Sequence, residues 1–273
     1  MRTLSRPEGY LLAAILAALA FASFGPAVAQ HDHYHAFADQ RTWMGVPCTL
    51  DVLSNLPFAV AGVWGLLVIG LKRSAAWDAR WALATVFFAS LLVTTVGSTV
   101  YHWQPDNWGL AWDRIGMVGA FAGLLGMAVA DRISTRSGLW VALLVLVAGP
   151  LAVAIWYSTG NLLPWVVVQG GGMLLVLGLA LRRPVPQAWG LPLVAVIVCY
   201  AVAKFLELGD HAIFAYTGGL VSGHSLKHMT AALAALPLLI VMHNENKRDP
   251  ERSYSLRASS STPAHTNVGL YRA

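Results

Sequence analysis

Long apolar runs separated by short polar stretches dominate this chain. Seven such runs lie near positions 51–71, 82–102, 112–130, 138–157, 163–181, 189–208 and 222–242. Each is about 20 residues long, which as a helix matches a hydrocarbon core of about 30 Å. The runs lack the alternation of barrel strands, and a backbone in lipid must satisfy its own hydrogen bonds. The pattern predicts an all-α integral membrane bundle of seven transmembrane helices.

The N-terminus carries a further apolar run, which is preceded by Arg2 and Arg6. It covers residues 10–24 and is followed by the small-residue sequence Ala27-Val28-Ala29. This order is typical of a secretory signal peptide that is cleaved after these small residues. An uncleaved extra helix is the alternative, because residues 11–29 are nearly long enough to span a membrane. The predicted divisions are 1–29, a signal peptide or extra transmembrane helix; 30–50, an outer-side segment; 51–243, the seven-helix membrane domain; and 244–273, a disordered cytoplasmic tail.

Basic residues lie in alternate loops of the predicted bundle, and cytoplasmic loops collect Lys and Arg. The loops after the second, fourth and sixth runs contain no Lys or Arg. We therefore predict the N-terminus outside and the C-terminus in the cytoplasm; with a secretory-type N-terminus, this suggests a bacterial inner membrane protein. The basic residues of the other loops and the tail are Lys72, Arg73, Arg80, Arg132, Arg136, Arg182, Arg183, Lys247, Arg248 and Arg252.

Composition agrees with this interpretation. Only 11% of the 273 residues are charged, against about 25% in an average soluble domain. A single soluble domain is therefore excluded. The net charge of +5 does not predict nucleic-acid binding, because the basic residues cluster between apolar runs. Two cysteines, Cys48 and Cys199, cannot form a disulfide framework.

Five polar residues are predicted to lie at one level of the bundle. Ser98 and His102 are four apart on the second run, and His224 and His228 are four apart on the seventh. Each pair therefore shares one helix face. Asp113 begins the third run. The loop charges place all of these positions near the outer side of the membrane.

Three histidines with one open coordination position form a common catalytic zinc site. Asp113 could then transfer a proton, and Ser98 could donate a hydrogen bond to an oxyanion or to the attacking water. Interhelical hydrogen bonding would explain one isolated histidine pair. Haem held by two remote histidines is another alternative, but it gives Ser98 and Asp113 no role.

Structural explanations are expected for the remaining polar or small residues at membrane depth. Lys204 and Glu207 are three apart and can form an ion pair. The histidines of residues 31–35 are predicted to lie in a solvated linker, with metal delivery as the alternative. Cys48 and His211 are predicted to be loop residues without a partner. Close helix contact is predicted at four glycines of the third run, namely Gly116, Gly119, Gly123 and Gly126.

Four blocks of this sequence resemble the alkaline ceramidase family. That family belongs to a superfamily of seven-helix membrane hydrolases that also includes the progestin and adipoQ receptors. The resemblance covers residues 39–243 and rests on 51–58, 97–102, 112–117 and 224–228. It implies that His102, His224 and His228 bind zinc, that Ser98 stabilises the oxyanion or the water, and that Asp113 transfers the proton.

The activity implied by the resemblance is hydrolysis of the amide of ceramide or a related N-acyl lipid from the bilayer, to a long-chain base and a fatty acid. Asp51, Ser54 and Asn55 are expected to supply supporting hydrogen bonds between helices. Cys48 stands where those enzymes have an acidic calcium ligand, which argues against calcium. A zinc-containing receptor of the progestin and adipoQ type, without efficient turnover, is the alternative. A transport protein is a further rival, and the sequence predicts no oligomeric state.

Overall fold

A computed structural model describes residues 3–71 and 78–245 of the chain. Helices build this part, and its one regular β contact is an antiparallel bridge between Trp43 and Val46. The helices are α1 (Arg6–Phe24), α2 (Thr49–Leu53), α3 (Leu56–Gly70), α4 (Ala79–Trp103), α5 (Asn107–Arg132), α6 (Thr135–Thr159), α7 (Leu163–Val166), α8 (Gly172–Ala180), α9 (Leu193–Leu208), α10 (Asp210–Tyr216) and α11 (Gly223–Leu233). A π-helical segment, Val167–Gly171, joins α7 to α8.

Seven helices in the described ranges are long and apolar enough to cross a membrane. The predicted all-α membrane bundle is thereby confirmed. Three of the seven are composite or extended: α2 with α3 (Thr49–Gly70), α7 to α8 (Leu163–Ala180), and α11 continued to Glu245. The set differs from the predicted one, since it includes α1 and leaves out α9.

The sixth predicted span is shorter in the structure than its apolar run. Helix α9 has 16 residues, which corresponds to about 24 Å. Gly190 has a φ of +72° and Pro192 is the N-cap, so the helix does not extend back to residue 189. The loop before α9 is instead bound to the end of α5, because the Asp131 carboxylate accepts the backbone N–H groups of Gly190 and Leu191.

Large apolar side chains are exposed along the outer faces of several helices, where water would be a poor solvent for them. Helix α5 is the most enclosed of the spans, with α4 and α6 as its principal neighbours. This distribution fits a bundle whose surrounding solvent is lipid. Examples of the exposed residues are Val60, Val63, Leu67, Leu143, Val147, Leu151, Leu174, Leu177, Val194 and Val198.

Glycines of α5 bring this helix against the backbone of α4, as predicted. A Cβ added to Gly116 would overlap the backbone of Thr94, and one added to Gly123 would overlap the backbone of Phe87. Small residues allow such close approach between helices in membranes. The resulting contact holds α4 and α5, which carry His102 and Asp113, in a fixed relation.

Helix α1 lies along the outside of the bundle and connects its two ends. At its start, the Glu8 carboxylate accepts hydrogen bonds from Ser134 and Ser137, at the beginning of α6. Beyond its end, the Val28 N–H donates to the Asn161 side chain at 3.1 Å, in the connection that follows α6. Residues from 30 onward therefore begin at the same end of the bundle as His102. Whether residues 1–29 are a signal peptide or an extra helix stays a prediction, and the tail beyond residue 245 lies outside the described residues.

Candidate metal centre

The structure brings the three predicted histidines together. His102 comes from the last turn of α4, while His224 and His228 come from the first two turns of α11. Potential ligand atoms of the three rings lie within 4.8 Å of one another, and the ring centroids are 4.8 to 4.9 Å apart. All three side chains are buried. One metal ion can therefore be reached by all three imidazoles.

His102 gives the clearest indication that this cluster suits a metal. The residue is 1% exposed, yet neither ring nitrogen has a hydrogen-bond partner. A buried polar atom without a partner costs about 1–3 kcal/mol. Coordination of a metal by one nitrogen would offset that cost, whereas the rings packed around His102 form no hydrogen bond with it. The residues present thus fit a metal ion that accepts imidazole ligands.

His228 is oriented by a hydroxyl group from the first membrane span. The Ser54 Oγ donates to the backbone carbonyl of Asp51 at 2.8 Å and lies 2.8 Å from His228 Nδ1. Because the only hydroxyl proton goes to the carbonyl, the Ser54 oxygen accepts from the Nδ1–H of His228. This tautomer leaves the Nε2 lone pair free for a metal, as is usual for metal-binding histidines.

Ser54 lies at a break in the first span, between α2 and α3. Asp51, which is fully buried, accepts hydrogen bonds through Oδ1 from Ser222 at 2.9 Å and Ser225 at 2.6 Å. Ser222 is the N-cap of α11 and also accepts the N–H of Ser225 at 2.9 Å. Asp51 therefore fixes the start of the helix that carries His224 and His228. The side chain of Asn55 donates to the Asp51 carbonyl at 3.0 Å, within its own span rather than between helices.

His224 is held by two further groups. Its backbone N–H donates to Asp210 Oδ1 at 2.8 Å, so a carboxylate stabilises the N-terminal turn of α11. Its ring Nε2 is 2.8 Å from the Lys227 ammonium, which also contacts Glu207 at 3.3 Å. Glu207 forms the predicted ion pair with Lys204 as well. Two lysines thus share one glutamate beside the histidine cluster.

Ser98 and Asp113 face a common cavity with His224 and His228. Ser98 is buried one turn before His102, whereas Asp113 is partly exposed and is a side-chain hydrogen-bonding neighbour of Ser98. Asp113 does not begin its helix, since α5 starts six residues earlier at Asn107. The structure nevertheless places it at the level of the histidines, as the loop charges predicted.

The cavity has a volume of about 700 Å³, within the usual range of small-molecule sites. Its polar lining includes His224, His228, Ser98 and Asp113. Its remaining wall is mainly apolar and comes from seven of the helices. Residues of that apolar wall include Phe58, Phe87, Leu91, Met117, Phe121, Leu124, Met173, Val196 and Ala231.

Residues 30–41 cover the end of this cavity that lies near His102. His31 and His33 are exposed, as predicted for a solvated linker, whereas His35 is half-buried and Phe37 is buried. The Phe37 ring lies with its centroid 4.6 Å from those of both His102 and His224. His35 is 3.0 Å from the Tyr101 hydroxyl. His211, predicted to have no partner, has its Nε2 2.9 Å from the carbonyl of Ala36. The segment is thus packed against the metal centre.

The acidic residue of this covering segment is engaged by an arginine. Both carboxylate oxygens of Asp39 accept from the Arg41 guanidinium, at 2.8 and 2.6 Å. Burial raises the pKa of Asp39, but the hydrogen bonds and charge of Arg41 outweigh it and lower the pKa below its ordinary value. Nearby, burial and the charges of Asp51 and Asp39 raise the pKa of the Cys48 thiol. A calcium ion would have to compete with Arg41 for this carboxylate.

The mutual arrangement of the histidines bears on the haem alternative. A porphyrin held between two axial histidines needs open space around the line that joins them. Here the third ring is as close to each of the other two as they are to one another. A macrocycle between any two would overlap the third, so the cluster suits a single ion.

Several residues around the centre carry no distinctive sequence signal. Phe37 is one apolar residue in a polar segment, and the hydropathy pattern places Asp210 in a loop, although it is the first residue of α10. Arg114 is a charged residue within an apolar run, which is costly in lipid, but the sequence alone assigns it no role. Hydropathy could have singled out Arg114 and Lys227; only the fold brings Phe37 and Asp210 to the histidines.

The chain matches no model of a known protein family, and no curated protein sequence matches it.

Proposed function

We propose that this protein is a zinc-dependent membrane amidohydrolase that cleaves ceramide or a related N-acyl lipid to a long-chain amine and a fatty acid. One observation carries the proposal: three buried histidines, one of them with both ring nitrogens unpartnered, adjoin an apolar cavity that also presents Ser98 and Asp113. The resemblance of the sequence to alkaline ceramidases supplies the substrate class.

The metal ligands in this proposal are His102, His224 and His228, three neutral nitrogen donors with a fourth position left for substrate or water. A zinc ion there would polarise the amide carbonyl and lower the pKa of a water molecule. Ser54 keeps the coordinating nitrogen of His228 deprotonated. Calcium has no role in this mechanism.

Ser98 and Asp113 act on the reacting amide. The Ser98 hydroxyl is buried and can donate to the oxygen that becomes negative as water adds to the carbonyl carbon. Asp113 accepts a proton from that water and returns it to the amine nitrogen as the carbon–nitrogen bond breaks. The products are a carboxylic acid and an amine, so the atoms of one water molecule are divided between them.

The apolar part of the cavity accommodates the acyl chain. It keeps the chain out of water while the amide lies at the polar end. Residues 30–41 cover the outer end, so the lipid would enter from the bilayer between helices rather than from the aqueous side. The covering Phe37 ring, in contact with two of the histidines, would also limit the access of bulk water.

The proposed orientation places residues 30–50 outside and the C-terminal tail in the cytoplasm, in a bacterial inner membrane. The end of the bundle that carries Arg132, Arg136 and the start of α1 is then cytoplasmic, in accordance with the distribution of basic residues. Reporter fusions at the C-terminus that are active only in the cytoplasm test this orientation. Activity of a periplasm-specific reporter at the same point would reverse it.

Metal analysis combined with a lipid screen tests the activity. We expect about one zinc per purified chain and release of fatty acid from an N-acyl lipid, measured by mass spectrometry. His224→Ala should lose both, whereas Ser98→Ala and Asp113→Ala should keep the metal and lose turnover. Ser158→Ala, which removes an exposed hydroxyl bonded only within α6, is the matched control.

Two results would contradict this proposal. Purified protein without zinc would remove the metal centre, and full metal content with full activity in His224→Ala would remove the assigned ligand. Zinc without turnover on any N-acyl lipid would instead support the alternative of a metal-containing membrane receptor.

A further inference from the structure

Arg114 is a buried guanidinium in the wall of the proposed reaction cavity. It follows Asp113 in α5, is 2% exposed and lines the same cavity as Ser98 and the histidines of α11. Its Nη2 donates to Gln30 Oε1 at 3.1 Å. Its guanidinium carbon lies 3.9 Å from the centroid of the Trp156 ring, so the aromatic face supports the planar group from one side.

The guanidinium of Arg114 forms no direct ion pair within the described residues, although the Asp113 carboxylate interacts with it at longer range. Among the described residues, no carboxylate oxygen lies within 4.0 Å of its nitrogens. Its Nη1 is buried and has no hydrogen-bond partner. Arginine keeps its charge at all ordinary pH values, and a buried charge without a partner is costly. The wall of the cavity therefore carries a preformed cationic donor whose Nη1 lacks an acceptor.

The other cations of the cavity differ from Arg114 in this respect. Lys204 and Lys227 both contact the Glu207 carboxylate, so each has an acidic partner. Arg114 has the Gln30 amide, the Tyr34 hydroxyl and aromatic rings as its direct neighbours, and the Asp113 carboxylate interacts with it only from beyond ion-pair distance. A guanidinium fork pairs best with the two oxygens of an oxyacid anion.

We propose that Arg114 binds an anionic oxygen group, such as a sulfonate, carboxylate or phosphate, on the head of the lipid amide. The inference deepens the proposed function and rests on it, because it assigns the head group of the same substrate. The head anion accepts from Nη1 of Arg114, while the amide lies beside Ser98 and Asp113. Since Asp113 and Arg114 lie in the same helical turn and line the same cavity, a short linker joins the reacting amide to the anion. Uncharged ceramide does not use this contact.

Two lipid amides that differ only in head charge provide the test. N-dodecanoyl taurine ends in a sulfonate, and N-dodecanoyl ethanolamine ends in a hydroxyl on the same two-carbon linker. With the full-length chain in detergent, we expect kcat/KM to favour the taurine amide by at least about tenfold, the effect of one charge-assisted pair worth about 1.4 kcal/mol. N-dodecanoyl β-alanine and N-dodecanoyl phosphoethanolamine then compare carboxylate and phosphate with sulfonate.

Substitutions assign the preference to Arg114. In Arg114→Gln the ratio of the two kcat/KM values should fall close to one, while hydrolysis of the ethanolamine amide and the zinc content persist. Arg114→Lys, which keeps the charge without the fork, should restore part of the ratio. Arg132→Gln, at the other end of α5, removes a second buried arginine away from the cavity and should leave the ratio unchanged. A ratio near one in the wild type, or an unchanged ratio in Arg114→Gln, overturns the inference.

A binding measurement separates this inference from the proposed hydrolysis. Each amide is added to zinc-free protein, which cannot catalyse the proposed hydrolysis. The rise in the unfolding midpoint then measures binding alone. A larger rise with the taurine amide that disappears in Arg114→Gln supports the anion site even if no amide is ever hydrolysed. Equal rises with both amides refute the site, whatever the result of the hydrolysis assay.

Discussion

Ser54 offers the sharpest test of how the fold prepares the metal centre. Its hydroxyl donates to the Asp51 carbonyl and accepts from Nδ1 of His228, both at 2.8 Å. The substitution Ser54→Ala removes the acceptor without adding volume. His228 then loses the partner that fixes its tautomer, and a buried Nδ1–H is left without its hydroxyl. We expect the affinity for zinc to fall while the bundle remains folded.

The size of the loss follows from the geometry. An unsatisfied buried donor costs about 1–3 kcal/mol, and removing the outer partner of a metal-bound histidine typically costs about 10- to 100-fold in metal affinity. At 1.36 kcal/mol per tenfold, that range is about 1.4–2.7 kcal/mol. The Asp51 carbonyl is also a hydrogen-bond acceptor near the His228 ring. In Ser54→Ala it can accept the Nδ1–H in place of the missing hydroxyl. The expected loss therefore lies near the lower end, at about tenfold.

Competition with a zinc-binding dye in detergent measures this affinity directly. Wild type, Ser54→Ala and the control Ser158→Ala are titrated at one pH, since protons compete with zinc for the imidazoles. Ser158 donates only to carbonyls of its own helix, so its removal should leave the affinity unchanged. Equal affinities in wild type and Ser54→Ala would falsify the role of Ser54 in orienting His228.

Three further outcomes follow from the metal centre and the covering segment. Removal of zinc by a chelator should lower the unfolding midpoint, because a ligand at 1,000 times its Kd stabilises by about 4 kcal/mol; an unchanged midpoint in calorimetry would argue against a structural contribution of the ion. Asp39 has a lowered pKa, so its contribution to stability is present above the unfolded pKa of about 3.9 and is lost as the pH falls through the lower folded value. The difference in midpoint between wild type and Asp39→Asn should thus shrink from pH 7 towards pH 3, and a constant difference would contradict the ion pair with Arg41. Cys48 is buried and its pKa is raised, so iodoacetamide at pH 8 should label it far more slowly in folded than in urea-unfolded protein. Peptide mapping measures the two rates, and equal rates would contradict this expectation.

The sequence by itself determined the class of fold and the main chemical groups. Apolar runs of membrane length without strand alternation must form helices, because every backbone group in lipid needs a hydrogen-bond partner within the protein. The spacing of four residues between His224 and His228 places both on one face whatever the rest of the chain does. The charges of the loops predicted the common level of these histidines, His102 and Asp113. Periodicity and charge are local properties, so a single sequence reveals them.

Tertiary structure decided how these groups are held and what surrounds them. The contact between Ser54 and His228 joins residues 174 positions apart, so no local sequence pattern predicts it. The packing of Phe37 against two histidines and the absence of a direct ion pair at Arg114 among the described residues depend likewise on segments that are distant in sequence. Hydropathy did not predict the late start of α9, because Pro192 and the loop before it lie within an apolar run. Hydropathy records how well each residue suits lipid; it carries no information on which helix each one meets.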